Sequence, residues 1–249
     1  NSTVTIQPCR SRIRSFIFTP MSTNKNSIDI YLETGKKRTV ACVTKWPGWC
    51  RIGRDEASAL QALFDYGPRY AHVLRKVQIP FQVPADPSTF NVIERLEGNA
   101  TTDFGAPGMT PSSDKLPIDH ADLLHFQSLL QAYWHAFDKI TERATGRELR
   151  KGPRGGGRDL EKIIQHVIEA DRGYLPRLAW KFKKGKADSQ HEQLSQTRQA
   201  ILNALTSAVQ NGLPEQGPRG GVIWPPRYFI RRVAWHVLDH LWEIEDRLS

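Results

Sequence analysis

Two histidines four residues apart, His236 and His240, stand inside residues 231–247, a stretch without Gly or Pro. On an α-helix, residues at this spacing share a face, so the two imidazoles project side by side. Two neutral imidazoles so placed are suited to chelating a transition-metal ion. Phe229, Val233, Val237, Leu241, Ile244 and Leu248 recur at helical spacing and mark a buried stripe. The histidine face overlaps that stripe, so the pair should look toward other helices rather than solvent. Packed core histidines are the plainer alternative.

A third ligand candidate, His166, lies at the edge of the apolar stripe of an earlier helical segment. If successive helices alternate in direction, that helix and the last one run parallel, and His166 and His236 reach similar depth. Three imidazoles leave coordination positions free, as a catalytic metal requires. Asp239 and Glu243 lie within one turn of the pair, and either could orient an imidazole or act as a base. Glu243, three residues after His240, is the better candidate for the catalytic role. Two similar loops, Lys151-Gly-Pro-Arg-Gly-Gly-Gly-Arg158 and Gly217-Pro-Arg-Gly-Gly221, precede helices. Such loops offer backbone N–H groups and arginines to anions. With both at one end of the molecule, Arg154 and Arg219 would hold the carboxylates of a cofactor near the metal. As solvated connections they would do no more than keep the surface soluble.

The elements that must position these residues fall into two parts. Residues 28–33 and 38–44 are β-rich runs around a Gly-bearing turn, which predicts a hairpin. Trp46-Pro-Gly-Trp-Cys50 reads as a strand break. A helix is expected over 55–64 with Asp55 as N-cap, restarting at Gly67-Pro68, and a further strand over 90–96. Residues 100–116 are rich in turn formers and read as a linker, with Asp103 and Phe104 able to fold it onto the second part. Four helical segments follow, over 119–144, 159–182, 189–210 and the last stretch, the second bent by Gly173 and Pro176. Four such stripes bury one another most simply as a bundle.

The run "VTKWPGWCRIGRDEASALQAL" resembles the HicB-like fold, a small β-β-α module related to part of the ribonuclease H fold. That resemblance implies a binding or antitoxin-type role. A nuclease would need Asp29, Glu56 and Glu94 gathered on metal, and no spacing demands it. The segment "RRVAWHVLDHLWEIEDR", with His166 upstream, resembles the DinB-like four-helix-bundle superfamily. That resemblance implies His166, His236 and His240 as the triad for a divalent ion, nickel or zinc, and chemistry with a low-molecular-weight thiol.

The expected fold class is therefore α+β: a HicB-like module over 28–99, a linker over 100–116 and a DinB-like bundle over 117–249. Residues 1–27 read as a tail or a misassigned start, with translation beginning at Met21. The expected function is a divalent-metal-binding protein acting as a metal-dependent thiol S-transferase on a small anionic thiol or electrophilic small molecule. The alternative is a non-enzymatic regulator whose N-terminal module binds a protein or nucleic acid while the bundle serves as scaffold.

The 249 residues carry 39% hydrophobic and 24% charged side chains and a formal charge of +9. No apolar run has membrane-spanning length. The positive balance favours anions, but much of it sits in the tail and glycine-rich loops, so a nucleic-acid partner is not favoured. A homodimer is compatible with the sequence. The three cysteines, Cys9, Cys42 and Cys50, form no C-x-x-C pair, which suggests free thiols in a cytoplasmic setting.

Overall fold

A computed structural model describes residues 27–75, 79–151 and 157–248. The chain is mixed α+β, with a four-stranded sheet in its N-terminal part and long helices after it. Strands β1 (Ile28–Thr34) and β2 (Thr39–Val43) form the expected antiparallel hairpin. β4 (Phe90–Glu97) adds to β1 in parallel, and β3 (Cys50–Gly53) adds antiparallel to β2, giving the order β3-β2-β1-β4.

β3 corrects the reading of Trp46–Cys50 as a simple strand break. The Pro47-Gly48 turn folds the chain back, so that Cys50 pairs with Cys42 across the sheet. Gly48 has φ +87, and a Cβ there would lie 2.6 Å from Leu238 Cδ1, so only glycine brings this turn onto the last helix. Cys42 and Cys50 are buried and joined as a disulfide rather than carried as free thiols. The cytoplasmic expectation rested on unpaired cysteines and loses that support. Among the described residues, no helix is long and apolar enough to cross a membrane.

Alternation along β1 and β2 feeds two apolar clusters on opposite faces of the sheet. Ile30, Leu32, Ala41 and Val43 join the main core, whereas Tyr31, Val40 and Cys42 pack with Ala106 and Trp235. Helix α1 (Glu56–Asp65) covers the first face with Ala59 and Leu63 and begins with a reciprocal Asp55–Ser58 capping box. Tyr66 then separates it from α2 (Gly67–Leu74), which takes Pro68 in its first turn.

The segment over 100–116 is not a spacer. It contains α3 (Ala100–Phe104), capped by Asn99 and closed by Gly105 at φ 109. The backbone N–H groups of Gly108 and Met109 donate to the fully buried carboxylate of Glu33 at 2.8 and 3.1 Å. Ser112 likewise donates to Glu94. Asp103 accepts from the Lys37 N–H in the hairpin turn, and Phe104 is exposed, so neither folds the segment onto the helices as anticipated. Asp29 accepts from Asn91 and Glu56 pairs with Arg95, so the three carboxylates considered for a nuclease are engaged separately.

Four long helices follow: α4 (His120–Ala144), α5 (Leu160–Tyr174), α6 (Gln190–Asn211) and α7 (Pro226–Leu248). Asp119, Asp159 and Ser189 each cap a helix start by accepting from a backbone N–H three residues on. Their directions do not alternate. Asp122 pairs with Arg227 near the starts of α4 and α7, so these two run parallel. Asp138 and Gln127 of α4 bond Arg198 and Thr206 of α6, so that pair is antiparallel. Glu161 meets Gln190, and Arg172 meets Thr197, so α5 and α6 run parallel. A parallel pair in sequence needs a long return, and residues 179–188 supply it.

One core cluster crosses the boundary expected at 100–116, running from Ile30 and Leu63 through Tyr133 to Val233 and Leu241. The Tyr70 and Tyr133 hydroxyls both reach the Pro47 carbonyl oxygen, at 3.2 and 2.9 Å. The clasp that orients α7 is ionic. Arg231 and Asp114 are 3% and 1% exposed, and their side chains meet through Nε–Oδ2 at 3.0 Å and Nη2–Oδ1 at 2.6 Å. Arg231 Nη1 also donates to the Val43 carbonyl at 2.8 Å and Nη2 to that of Thr44 at 3.3 Å. Removing one partner of such a pair strands a buried charge, so Asp114→Ala should lower stability by ~3–5 kcal/mol in chemical denaturation. Arg231→Met/Asp114→Leu should lose less than that single change. A loss below about 1 kcal/mol for Asp114→Ala, the exposed-pair range, would contradict the clasp.

Candidate metal centre

The triad is assembled from two helices. His166 projects from α5 between the buried Ile163 and Val167, and His236 and His240 from adjacent turns of α7. One ligand nitrogen from each can be chosen so that all three lie within 4.8 Å of one another, the only such group among the described residues. The Nε2 atoms of His166 and His236 are 3.2 Å apart. Two nitrogens each ~2.1 Å from a shared ion at tetrahedral or octahedral angles would be about 3.0–3.4 Å apart, so this spacing fits joint ligation. The ring centroids are 4.7–5.0 Å apart, with the His240 ring nearly perpendicular to the other two.

The three side chains are brought together by antiparallel helices, not by parallel ones as alternation had suggested. Arg247, at the end of α7, lies against the chain entering α5: Arg150 N–H donates to its carbonyl, and Arg247 Nε donates back to that of Arg150. At the other end, the Tyr174 ring packs tilted against that of Trp224 at 5.3 Å, and the Trp224 backbone N–H donates to the Arg177 carbonyl. His166 and the α7 pair meet between these two ties.

Protonation favours ligation. Burial holds His236 well below the usual imidazole range, helped by His240 and His166; burial and then the charge of Arg158 lower His166. Both rings are therefore neutral near pH 7, with a lone pair to give. Glu243 Oε2 is 2.8 Å from His240 Nδ1, and Arg247 Nη1 donates to Oε1 at 2.7 Å. The bond from His240, and more weakly the charge of Arg247, holds the Glu243 carboxyl below its usual range despite partial burial. An ionised carboxylate can only accept, so His240 carries its proton on Nδ1 and presents Nε2 as the lone pair. Of the two roles expected for Glu243, base and orienting group, the second is the one its contacts provide. Asp239 instead faces Arg51 at 3.4 Å. His236 Nδ1 is buried without a hydrogen-bond partner, so nothing beyond its Nε2 neighbours fixes that ring's tautomer.

The described glycines of the two loop motifs lie apart. Gly157 packs on the Arg247 guanidinium, where a Cβ would come within 2.8 Å of Nη2, and its φ of +136 also demands glycine. The first loop therefore ends beside the finish of α7. Gly217 lies against the Pro176 carbonyl, past the other end of α5. Gly157 and Gly217 thus lie beside opposite ends of α5, whose fifteen residues span about 22 Å. Arg154 lies outside the described residues, as does the side chain of Arg219. Arg158, whose charge reaches His166 and His236, and Arg232, which lies 5.6 Å from the Tyr174 ring and donates to its hydroxyl, join Arg247 as described cations near the triad. Arg158 falls in the first loop motif, but Arg232 is announced only by standing one turn before His236.

No protein-family model, curated protein or solved structure matches this chain. The tautomer assignment is testable directly. Long-range proton–nitrogen NMR of the imidazoles should find His240 as the Nδ1–H form in the wild type and a mixture of tautomers in Glu243→Ala. An Nε2–H form in the wild type would contradict it.

Proposed function

We propose that this chain is a divalent-metal-binding protein with a DinB-like four-helix bundle and a HicB-like N-terminal module, and that its triad serves a thiol-dependent transfer reaction. The supporting observation is that three imidazoles from α5 and α7 converge with ligand nitrogens within 4.8 Å, one of them held in tautomer by Glu243. Neutral imidazoles suit zinc and nickel, and three of them leave open positions for a small molecule. An ion so held supplies Lewis acidity and favours ionisation of a thiol that reaches it.

The chain's own residues have separable tasks in this reading. His166, His236 and His240 hold the ion, and Glu243 fixes the His240 ring through Nδ1. Arg247 neutralises Glu243, so that the carboxylate does not compete as a ligand. Arg158 and Arg232 place positive charge beside the triad, where an anionic thiol substrate would be oriented. Tyr174 borders the same space, with its ring 6.2 Å from that of His236.

The full-length protein should take up zinc or cobalt(II) near-stoichiometrically by mass spectrometry after dialysis. His236→Ala/His240→Ala and, from the other helix, His166→Ala should each lose it while keeping the wild-type circular dichroism spectrum. Adding a low-molecular-weight thiol to the cobalt-loaded protein should produce a thiolate charge-transfer band. Failure of the wild type to take up metal, or retention of the full complement by both variants, would refute the metal site. Uptake without any thiol band would remove the transferase reading and leave a scaffold or sensor.

A further inference from the structure

The return segment between α5 and α6 forms a site that the triad does not use. After the turn at Leu175–Leu178, Ala179 adopts a left-handed conformation at φ 54 and sends the chain back along α6. Between this segment and α6 lies a cleft of about 820 Å³, within the range of small-molecule sites. Its apolar wall comes from Trp180 and Phe182, both half-buried against the core. Arg172 lies 4.9 Å from the Phe182 ring centroid and steadies that ring.

The polar lining has a definite chemistry. Lys181 and Lys183 alternate with the aromatics and are exposed, Lys184 and Lys186 continue the run, and among the described residues no Asp or Glu lines the cleft. The facing side of α6 contributes amides, Gln196, Gln199 and Asn203. Gln196 Nε2 donates to the Lys186 carbonyl at 2.7 Å, which both ties the segment to α6 and fixes which way the amide points. Its Oε1 is buried from solvent and has no hydrogen-bond partner.

We propose that this cleft binds a nucleotide, with the base against Trp180 and Phe182 and the phosphate on the lysines. Flat aromatic walls suit a base, because every base has a π-face, and lysines alternating with them suit the phosphates. An acidic peptide would satisfy the lysines but would leave the aromatic wall and the amides unused. A free nucleotide and a single strand share this chemistry, and the probes tell the two sources apart.

The test is fluorescence anisotropy of the full-length protein at low salt with a labelled single-stranded oligonucleotide of mixed sequence, beside displacement by ATP. Binding of the oligonucleotide with no displacement by ATP assigns a strand; effective displacement by ATP assigns a free nucleotide. In either case Trp180→Ala should weaken binding by roughly tenfold, the scale of one stacked base. Lys181→Ala/Lys183→Ala changes exposed side chains and should leave the fold intact. For a strand, it should also lower the slope of log affinity against log salt by about 1.4, at ~0.7 per phosphate contact. His236→Ala/His240→Ala should bind as the wild type does. The proposal is overturned if neither probe binds, if dextran sulfate binds as tightly as the oligonucleotide, or if the lysine variant keeps wild-type affinity.

Discussion

The position of the histidine face of α7 depends on the buried pair between Arg231 and Asp114. Removing both charges from water costs several kcal/mol per ion, and the pair recovers this only through good geometry and full use of its donors. Here the guanidinium meets both carboxylate oxygens and two strand-end carbonyls, while its carbon lies 5.2 Å from the Tyr31 ring centroid. These contacts of Arg231 tie one side of α7 to the end of β2 and to Asp114. His236 stands five residues later, about 140° around the helix, and so faces away from the sheet toward α5. The clasp and the triad are opposite sides of one helix.

That orientation is reinforced from both ends. The Pro47-Gly48 turn rests on Ala234 and Leu238, and Trp235 fills the second face of the sheet. At the far end, Arg150, Arg247 and Glu243 form a hydrogen-bonded relay whose last member is the His240 ring. A ligand set on two helices is only as well placed as the contacts that fix helix rotation and ring tautomer. The sheet supplies the first and the relay supplies the second. The N-terminal part of the chain is thus involved in positioning the site even though it contributes no ligand.

Much of this was legible in the sequence because helix signals are local. Asp55, Asp119 and Ser189 mark helix starts as written, and apolar spacing defines α4, α6 and α7 to within a few residues. Spacing of four residues put His236 and His240 on one face, and His166 joined them in space. What was not legible depends on pairings distant in sequence. β3 is four residues long and follows a Pro-Gly turn, so its partner is visible only in the sheet, and with it the Cys42–Cys50 disulfide. The antiparallel course of α5 and α7 depends on the return over 179–188, whose basic and aromatic residues carry no helical period. Nothing local marks Glu33 and Asp114 as buried, since burial of a charge is decided by its partners and not by its neighbours in sequence. One signal was available for Arg231: it falls between Ile230 and Val233 on a helix that is otherwise apolar on that side.

The central claim is that α5 and α7 together make a three-imidazole ligand set. X-ray absorption spectroscopy of the zinc-loaded full-length protein tests it most directly, because imidazole rings leave a characteristic multiple-scattering pattern. The structure predicts three imidazole nitrogens at about 2.0–2.1 Å, with the rest of the shell made of light atoms. A shell dominated by sulfur at about 2.3 Å, or one showing no more than a single imidazole, would contradict the account.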